Sequence, residues 1–194
     1  MKKLFALLLI IGCIFACVSC GDDDESTDGA IIDTFAAAVA ASNPTGAVIN
    51  INVVTELGTL ENRYVVTYNQ DGTVTVGFTE QEFVPFDPAN PLADTKKTET
   101  GTVVIQADGT YDGAISGTAA DIAAGVALDV TKLAGATATE SGVLTATVAA
   151  VDTQSALGVS IGADVNVKLS IFNGVVERLE MTYANTAIVC VYQK

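Results

Sequence analysis

Val165-Asn166-Val167-Lys168-Leu169-Ser170-Ile171-Phe172-Asn173-Gly174-Val175-Val176-Glu177-Arg178-Leu179-Glu180-Met181-Thr182-Tyr183 is the stretch that decides the fold class. Val165, Val167, Leu169 and Ile171 alternate with Asp164, Asn166, Lys168 and Ser170, a period of two that places one set on each side of a strand. Asn173-Gly174 is a two-residue hairpin signal. Beyond it Leu179, Met181 and Tyr183 alternate with Arg178, Glu180 and Thr182. Asn185-Thr186 then turns the chain into Ala187 to Gln193. This pattern predicts an antiparallel meander with one wet face and one buried face. Cys190 falls in its last strand as a small buried hydrophobe, without a disulfide partner in the body of the chain.

The same bias extends outward. Past residue 20 the chain holds 23 Val, 10 Ile and 23 Thr, β-branched residues that favour pleated strands. Ala47 to Val54 alternates, and Tyr64 to Tyr68 and Thr73 to Phe78 flank Asn69-Gln70-Asp71-Gly72 as a hairpin. Thr102 to Gln106 and Thr110-Tyr111 flank Asp108-Gly109 in the same manner, and Val126 to Val130 and Val143 to Val148 are further strand candidates. One Ala-rich segment departs from the pattern. Ile31, Phe35 and Val39 recur at helical spacing between a capping Asp28 and the terminating Ser42-Asn43-Pro44, so a helix over 31–41 should pack on the sheet. Asp152 to Leu157 reads as a short second helix capped by Asp152 and stopped by Gly158. Three of the four prolines lie in Pro85-Phe86-Asp87-Pro88-Ala89-Asn90-Pro91, within a connection of about twenty residues, a length uncommon in a compact domain and often functional.

At the other end, Met1-Lys2-Lys3 precedes an apolar run from Leu4 to Phe15 broken by Gly12 and Cys13. The run is shorter than the ~20 residues that span a bilayer core, and its position marks a secretory signal. Ala16-Cys17-Val18-Ser19-Cys20-Gly21 follows and resembles a bacterial lipoprotein leader, in which a Cys after small residues is acylated. Cys20, between Ser19 and Gly21, fits that role, although Cys17 stands where the family has Leu. Cys17 is the competing site; it has Ile14 and Ala16 in place but a bulky Phe15. Asp22-Asp23-Asp24-Glu25 resembles the export signal of Bacteroidota surface lipoproteins and also suits an extended, solvated tether. The expected organisation is a signal peptide over 1–20 ending at the lipidated Cys20, an acidic tether over 21–30 and one antiparallel β domain over 31–194. The resemblance implies a cell-envelope protein held by its acyl chains, in the outer membrane and displayed at the surface.

A helix followed by a long antiparallel run that closes on the 165–183 hairpin is similar to the LolA/LppX-type half-barrel, in which a curved sheet wraps around helices. Leu144 to Tyr183 is also similar to uncharacterised lipoproteins of gut bacteria. The half-barrel resemblance implies carriage of a lipid or lipidated protein without catalysis. A closed lipocalin-like barrel is the alternative fold.

Composition narrows the chemistry. The chain has no His and no Trp, which removes Ser-His-Asp and Cys-His catalysis and every His-bearing zinc site. With 23 acids against 9 bases and a net charge of −14, it offers no counterion-release surface to a nucleic acid. None of Lys96, Lys97, Lys132, Lys168 and Lys194 sits in a Ser-x-x-Lys spacing. Glu80 and Glu82 share a strand face as the one carboxylate pair worth weighing for glycoside hydrolysis, and solvation explains them as well. Asp87, Asn90 and Asp94 bring oxygens into one loop as calcium requires, but without EF-hand spacing.

A non-catalytic envelope protein follows, with no cofactor, metal or nucleic acid. Its expected partners are the membrane, through the anchor, and a small apolar or amphipathic ligand in a sheet-lined cavity. The alternative is a surface recognition module for glycan or protein, using exposed aromatics among Tyr64, Tyr68, Phe83, Phe86 and Tyr111. Of these, Phe83 and Phe86, flanking Pro85, are the candidate ligand-binding residues, because a loop gives them less core to enter.

Overall fold

A computed structural model describes residues 27–85, 88–89, 95–113, 115, 117–125, 128–139 and 142–194. The helix α1 (Thr27–Ala41) comes first, then strands β1 (Gly46–Thr55), β2 (Gly58–Tyr68), β3 (Val74–Phe83) and β4 (Lys96–Ile105). The helix α2 (Gly117–Ala123) follows, then β5 (Ala134–Thr139), β6 (Val143–Val148), the helix α3 (Thr153–Leu157), and β7 (Val165–Phe172), β8 (Val175–Tyr183) and β9 (Thr186–Gln193). All nine strands form one antiparallel sheet in the order β4-β3-β2-β1-β9-β8-β7-β6-β5. Chain-terminal β9 therefore joins the two meanders at the centre. The sheet is open: β4 and β5 are its edges, so the closed lipocalin-like barrel is not the fold.

The register explains the burial. One row crosses every strand through Gly101, Phe78, Tyr64, Ile49, Cys190, Leu179, Leu169, Leu144 and Ala138. The adjacent row runs through Thr100, Thr79, Arg63, Asn50, Val189, Glu180, Lys168, Thr145 and Thr137. Neighbouring rows point to opposite faces, so one face is apolar and the other polar. The meander expected at the C-terminus is β7–β9 as predicted, with Asn173 and Gly174 both at positive φ (52° and 74°) in the hairpin turn.

The apolar face is covered by Phe35 and Ala38 of α1, by Ala119, Ala120, Ile122 and Ala123 of α2, and by Ala156 and Leu157 of α3. Between them Val130 and Leu133 flank a short 3-10 turn (Val130–Lys132). At the end of α1, Ser42 Oγ accepts from the Val176 amide at 2.8 Å and donates to the Ala38 carbonyl at 2.7 Å, pinning the helix C-terminus to the start of β8. Among the described residues Thr153 is the buried polar side chain of the core, and its Oγ1 accepts from the Ile161 amide at 2.9 Å.

Several sequence expectations need correction. The first helix begins at Thr27, so Asp28 lies inside it and is not its cap. Val130 opens the 3-10 turn, not a strand end: the Asp129 carboxylate accepts from the Thr131 amide and hydroxyl and bends the chain there. Residues 126 and 127 of that candidate strand lie outside the described residues. Asp108-Gly109 is a turn, but Thr110-Tyr111 does not pair as a strand; the turn closes on Gln106 and the chain leaves the sheet. Asp152 makes no side-chain cap to α3, which is entered through a 3-10 turn (Ala150–Asp152), while Gly158 ends the helix at φ 72° as expected. The Pro-rich connection is shorter than predicted because β3 runs on to Phe83 and β4 starts at Lys96, paired residue by residue. Hairpin pairing there needs no second sheet, so polar Thr and Glu residues extend it.

Candidate functional site

Three places on the fold carry chemistry. The first is the covered face. Its apolar rows are interrupted near the β2 and β9 C-termini by Tyr68 and Tyr192, and burial pushes the Tyr68 phenol up to about 12 and raises that of Tyr192 as well. Burial also pushes the neighbouring Cys190 thiol up to about 12, which keeps it protonated and unreactive. At the other end of the same face, the Tyr64 hydroxyl donates to Glu80 Oε1 at 2.6 Å. An apolar strip with polar groups at its two ends suits an apolar or amphipathic molecule, provided the helices above it give way.

The second is a shallow hollow of about 380 Å³ on the polar face, lined by Gly135, Thr145, Ala146, Thr147, Asn166, Val167, Lys168, Glu180 and Thr182. It forms where β5 shifts register between Ala134 and Thr137, with Gly135 at φ 59°. Such a bulge bends an edge strand away from its neighbour. Glu180 is shared by Lys168 (3.4 Å) and Arg178 (3.0 Å), and Thr147 donates to Asn166 Oδ1 at 3.2 Å. Hydroxyls, an amide and a cluster of two cations around one carboxylate can hydrogen-bond a polar ligand. They contain no nucleophile with a base beside it.

The third is the end of the sheet that holds the β1–β2 turn. Phe83 is half-buried there, with Lys96 Nζ 5.7 Å from its ring centroid and the Gly58 backbone beneath the ring. Lys96 Nζ also donates to the Thr59 carbonyl at 2.6 Å. Phe83 thus packs within the hairpin as part of a cation–π pair. Its expected partner Phe86 lies outside the described residues, as do Cys17, Cys20, Asp87, Asn90 and Asp94. Among the other aromatics Tyr64 is only 1% exposed, and Tyr68 and Tyr111 pack against the core, so these three form no exposed patch. Glu80 and Glu82 lie on one strand, the first bonded to Tyr64 and the second to Lys97 at 3.1 Å, not facing each other across a cleft. Among the described residues no group of three acidic or thiol side chains could hold a metal ion.

The hollow was missed in the sequence because β5, Ala134-Gly135-Ala136-Thr137-Ala138-Thr139, carries only Ala, Gly and Thr and gives little apolar alternation. α2 was missed because its seven residues are too few for a helical period to register.

No protein family's sequence pattern matches this chain, and no curated protein is detectably related to it. Among solved structures, the crystal structure of LprF from Mycobacterium bovis superposes on 86% of this chain and 92% of that one, at 12% identity and a TM-score of 0.39. A likeness that slight carries no argument about function. The chain is mainly β, an open nine-stranded antiparallel sheet with an N-terminal helix on its apolar face.

Proposed function

We propose that this chain is a lipid-anchored cell-envelope protein, acylated at Cys20, whose β domain holds an apolar or amphipathic ligand between the apolar sheet face and the helices above it, without catalysis. The observation that supports this most is the nature of the cover. Among the described residues no second sheet lies on the apolar rows; separate helices that carry many alanines lie there, with Phe35, Ile122 and Leu157 as their larger buried side chains. Such a cover can be lifted without breaking a single ladder hydrogen bond. The N-terminal leader supports the envelope location, and the acidic run after Cys20 supports outer-membrane and surface placement.

Native mass spectrometry of residues 21–194 purified from a bacterial host, with solvent extraction of whatever is retained, tests the ligand. A lipid-like adduct is expected; a bare mass together with no uptake of an apolar fluorescent probe overturns the reading. Cys20→Ala should move the full-length protein from the membrane fraction to the soluble fraction.

The hollow on the polar face favours a second reading, recognition of a glycan or protein surface. Amide shifts confined to Thr145, Thr147, Asn166 and Thr182 on titration with oligosaccharides would support it, and their absence would remove it.

A further inference from the structure

Four of the seven large apolar residues that stand exposed on the described surface gather at one end of the sheet. Val54 (56% exposed) closes β1, and Leu57 (74%) forms the β1–β2 turn. Val84 (41%) follows β3, its amide bonded to the Thr95 carbonyl. Val151 (88%) lies in the 3-10 turn after β6, at the same end because Val148 pairs with Val165, the first residue of β7. Both halves of the sheet therefore present exposed apolar side chains on one rim, at strand ends, Val151 in the turn that leads into α3. Scattered exposed apolar residues need no explanation; four gathered at the same end of one sheet do.

We propose that this rim is a membrane-contacting surface, seating Val54, Leu57, Val84 and Val151 in the headgroup–acyl boundary of the bilayer to which the chain is anchored. The inference rests on the acylation of Cys20 proposed above. The direction of α1 argues for it. The helix ends at Ser42, pinned to Val176 at the opposite end of the sheet, and its other contacts include the 3-10 turn 130–132, which leads into β5 at the rim end. Its N-terminus is thus directed toward the rim. From Cys20 to Thr27 the chain can reach at most about 25 Å, so an acylated Cys20 keeps this end of the domain at the membrane. Glu56, Glu82, Asp152 and Asp164 lie at this end against Lys96 and Lys97, an excess of acid that disfavours anionic headgroups and commits the contact to neutral lipid.

The full-length acylated protein, reconstituted in phosphatidylcholine vesicles containing a lipid brominated near the head of its acyl chain, tests this. Leu57→Cys and Val151→Cys carry an environment-sensitive fluorophore, and Gln70→Cys in the β2–β3 turn at the opposite end is the control; buried Cys190 stays unlabelled. Side chains seated some 5–10 Å into the boundary should lose about half or more of their fluorescence, while the label at 70 loses none. If labels at 57 and 151 are quenched no more than the one at 70 while intact mass confirms acyl chains on Cys20, the rim inference is overturned and the anchor stands. If the mass shows no acyl chains, the anchor reading fails. The same labels on the unacylated chain, with Cys13, Cys17 and Cys20 replaced by Ser, then decide the rim: quenching sustains it and no quenching overturns it.

Discussion

The strands β6–β9 and the outer ends of β2–β4 are laddered alike but differ in residue pattern and in burial: the first alternate apolar and polar residues, the second are almost wholly polar. In β7 the pattern of Val165, Val167 and Leu169 against Asn166 and Lys168 becomes one fully buried and one exposed side, because its apolar side belongs to the face that α1 covers through its contacts with β5 and β8. In β4, residues Lys96 to Thr102 are exposed on both faces although every one from Lys96 to Thr102 is paired to β3. Among the described residues the cover over this edge is local: the ring of Phe78 lies across Gly101, where a Cβ would meet it at 2.6 Å. A hairpin ladder can outrun the core that nucleated it, since its hydrogen bonds and cross-strand pairs are short-range. Burial stops where the helices stop.

The largest expected consequence of that contrast is in the core row. Leu169→Ala, at a fully buried position, should cost about 3 kcal/mol in denaturant unfolding, whereas Thr100→Ala on the doubly exposed end of β4 should change stability by less than about 0.5 kcal/mol. Equal losses would mean that the outer hairpin is as well buried as the meander. Next comes Gly101→Ala, which forces the Phe78 ring aside and should cost about 1–3 kcal/mol, read as a lower Tm. A neutral result would show that Phe78 is not the cover of this edge.

A pH titration sharpens the comparison further. Burial raises the Cys190 thiol from its ordinary 9.0 to about 12, so above pH 9 only the unfolded chain loses this proton, and stability should fall steadily from pH 9 toward 12. Cys190→Ala should flatten the first part of that slope, between 9 and 10, before Tyr68 begins to contribute above its ordinary 10.0. An unchanged slope would place the thiol in contact with water. The smallest effect is expected at the exposed pair of Lys97 and Glu82, where Lys97→Ala should leave the Tm unaltered at physiological salt.

Much of this fold is readable in residue order. β7, β8 and β9, the Asn69–Gly72 and Asn173-Gly174 turns and the burial of Cys190 follow from period-two alternation and from which residues accept positive φ, because both are properties of a few neighbouring residues. β5 was not readable, since its alanines and Gly135 favour no strand and its two threonines alone give no apolar alternation; it is an edge strand paired to β6. The same is true of Thr110-Tyr111, where a good turn signal has no strand to meet.

At the candidate sites the division is sharper. Phe83 stood out from sequence because of the prolines after it, but its engagement with Lys96 depends on a register ten residues long. Val54, Leu57, Val84 and Val151 are unremarkable where they stand in the chain and meet on one rim only when β1 joins β9 and the two meanders become one sheet. Alternation and turn chemistry act over two to four residues, so the chain order alone carried the strands and their faces. Which edges stay open, which helix covers which row and which residues share an end depend on contacts more than a hundred residues apart, such as that between Ser42 and Val176, and only the folded chain supplies them.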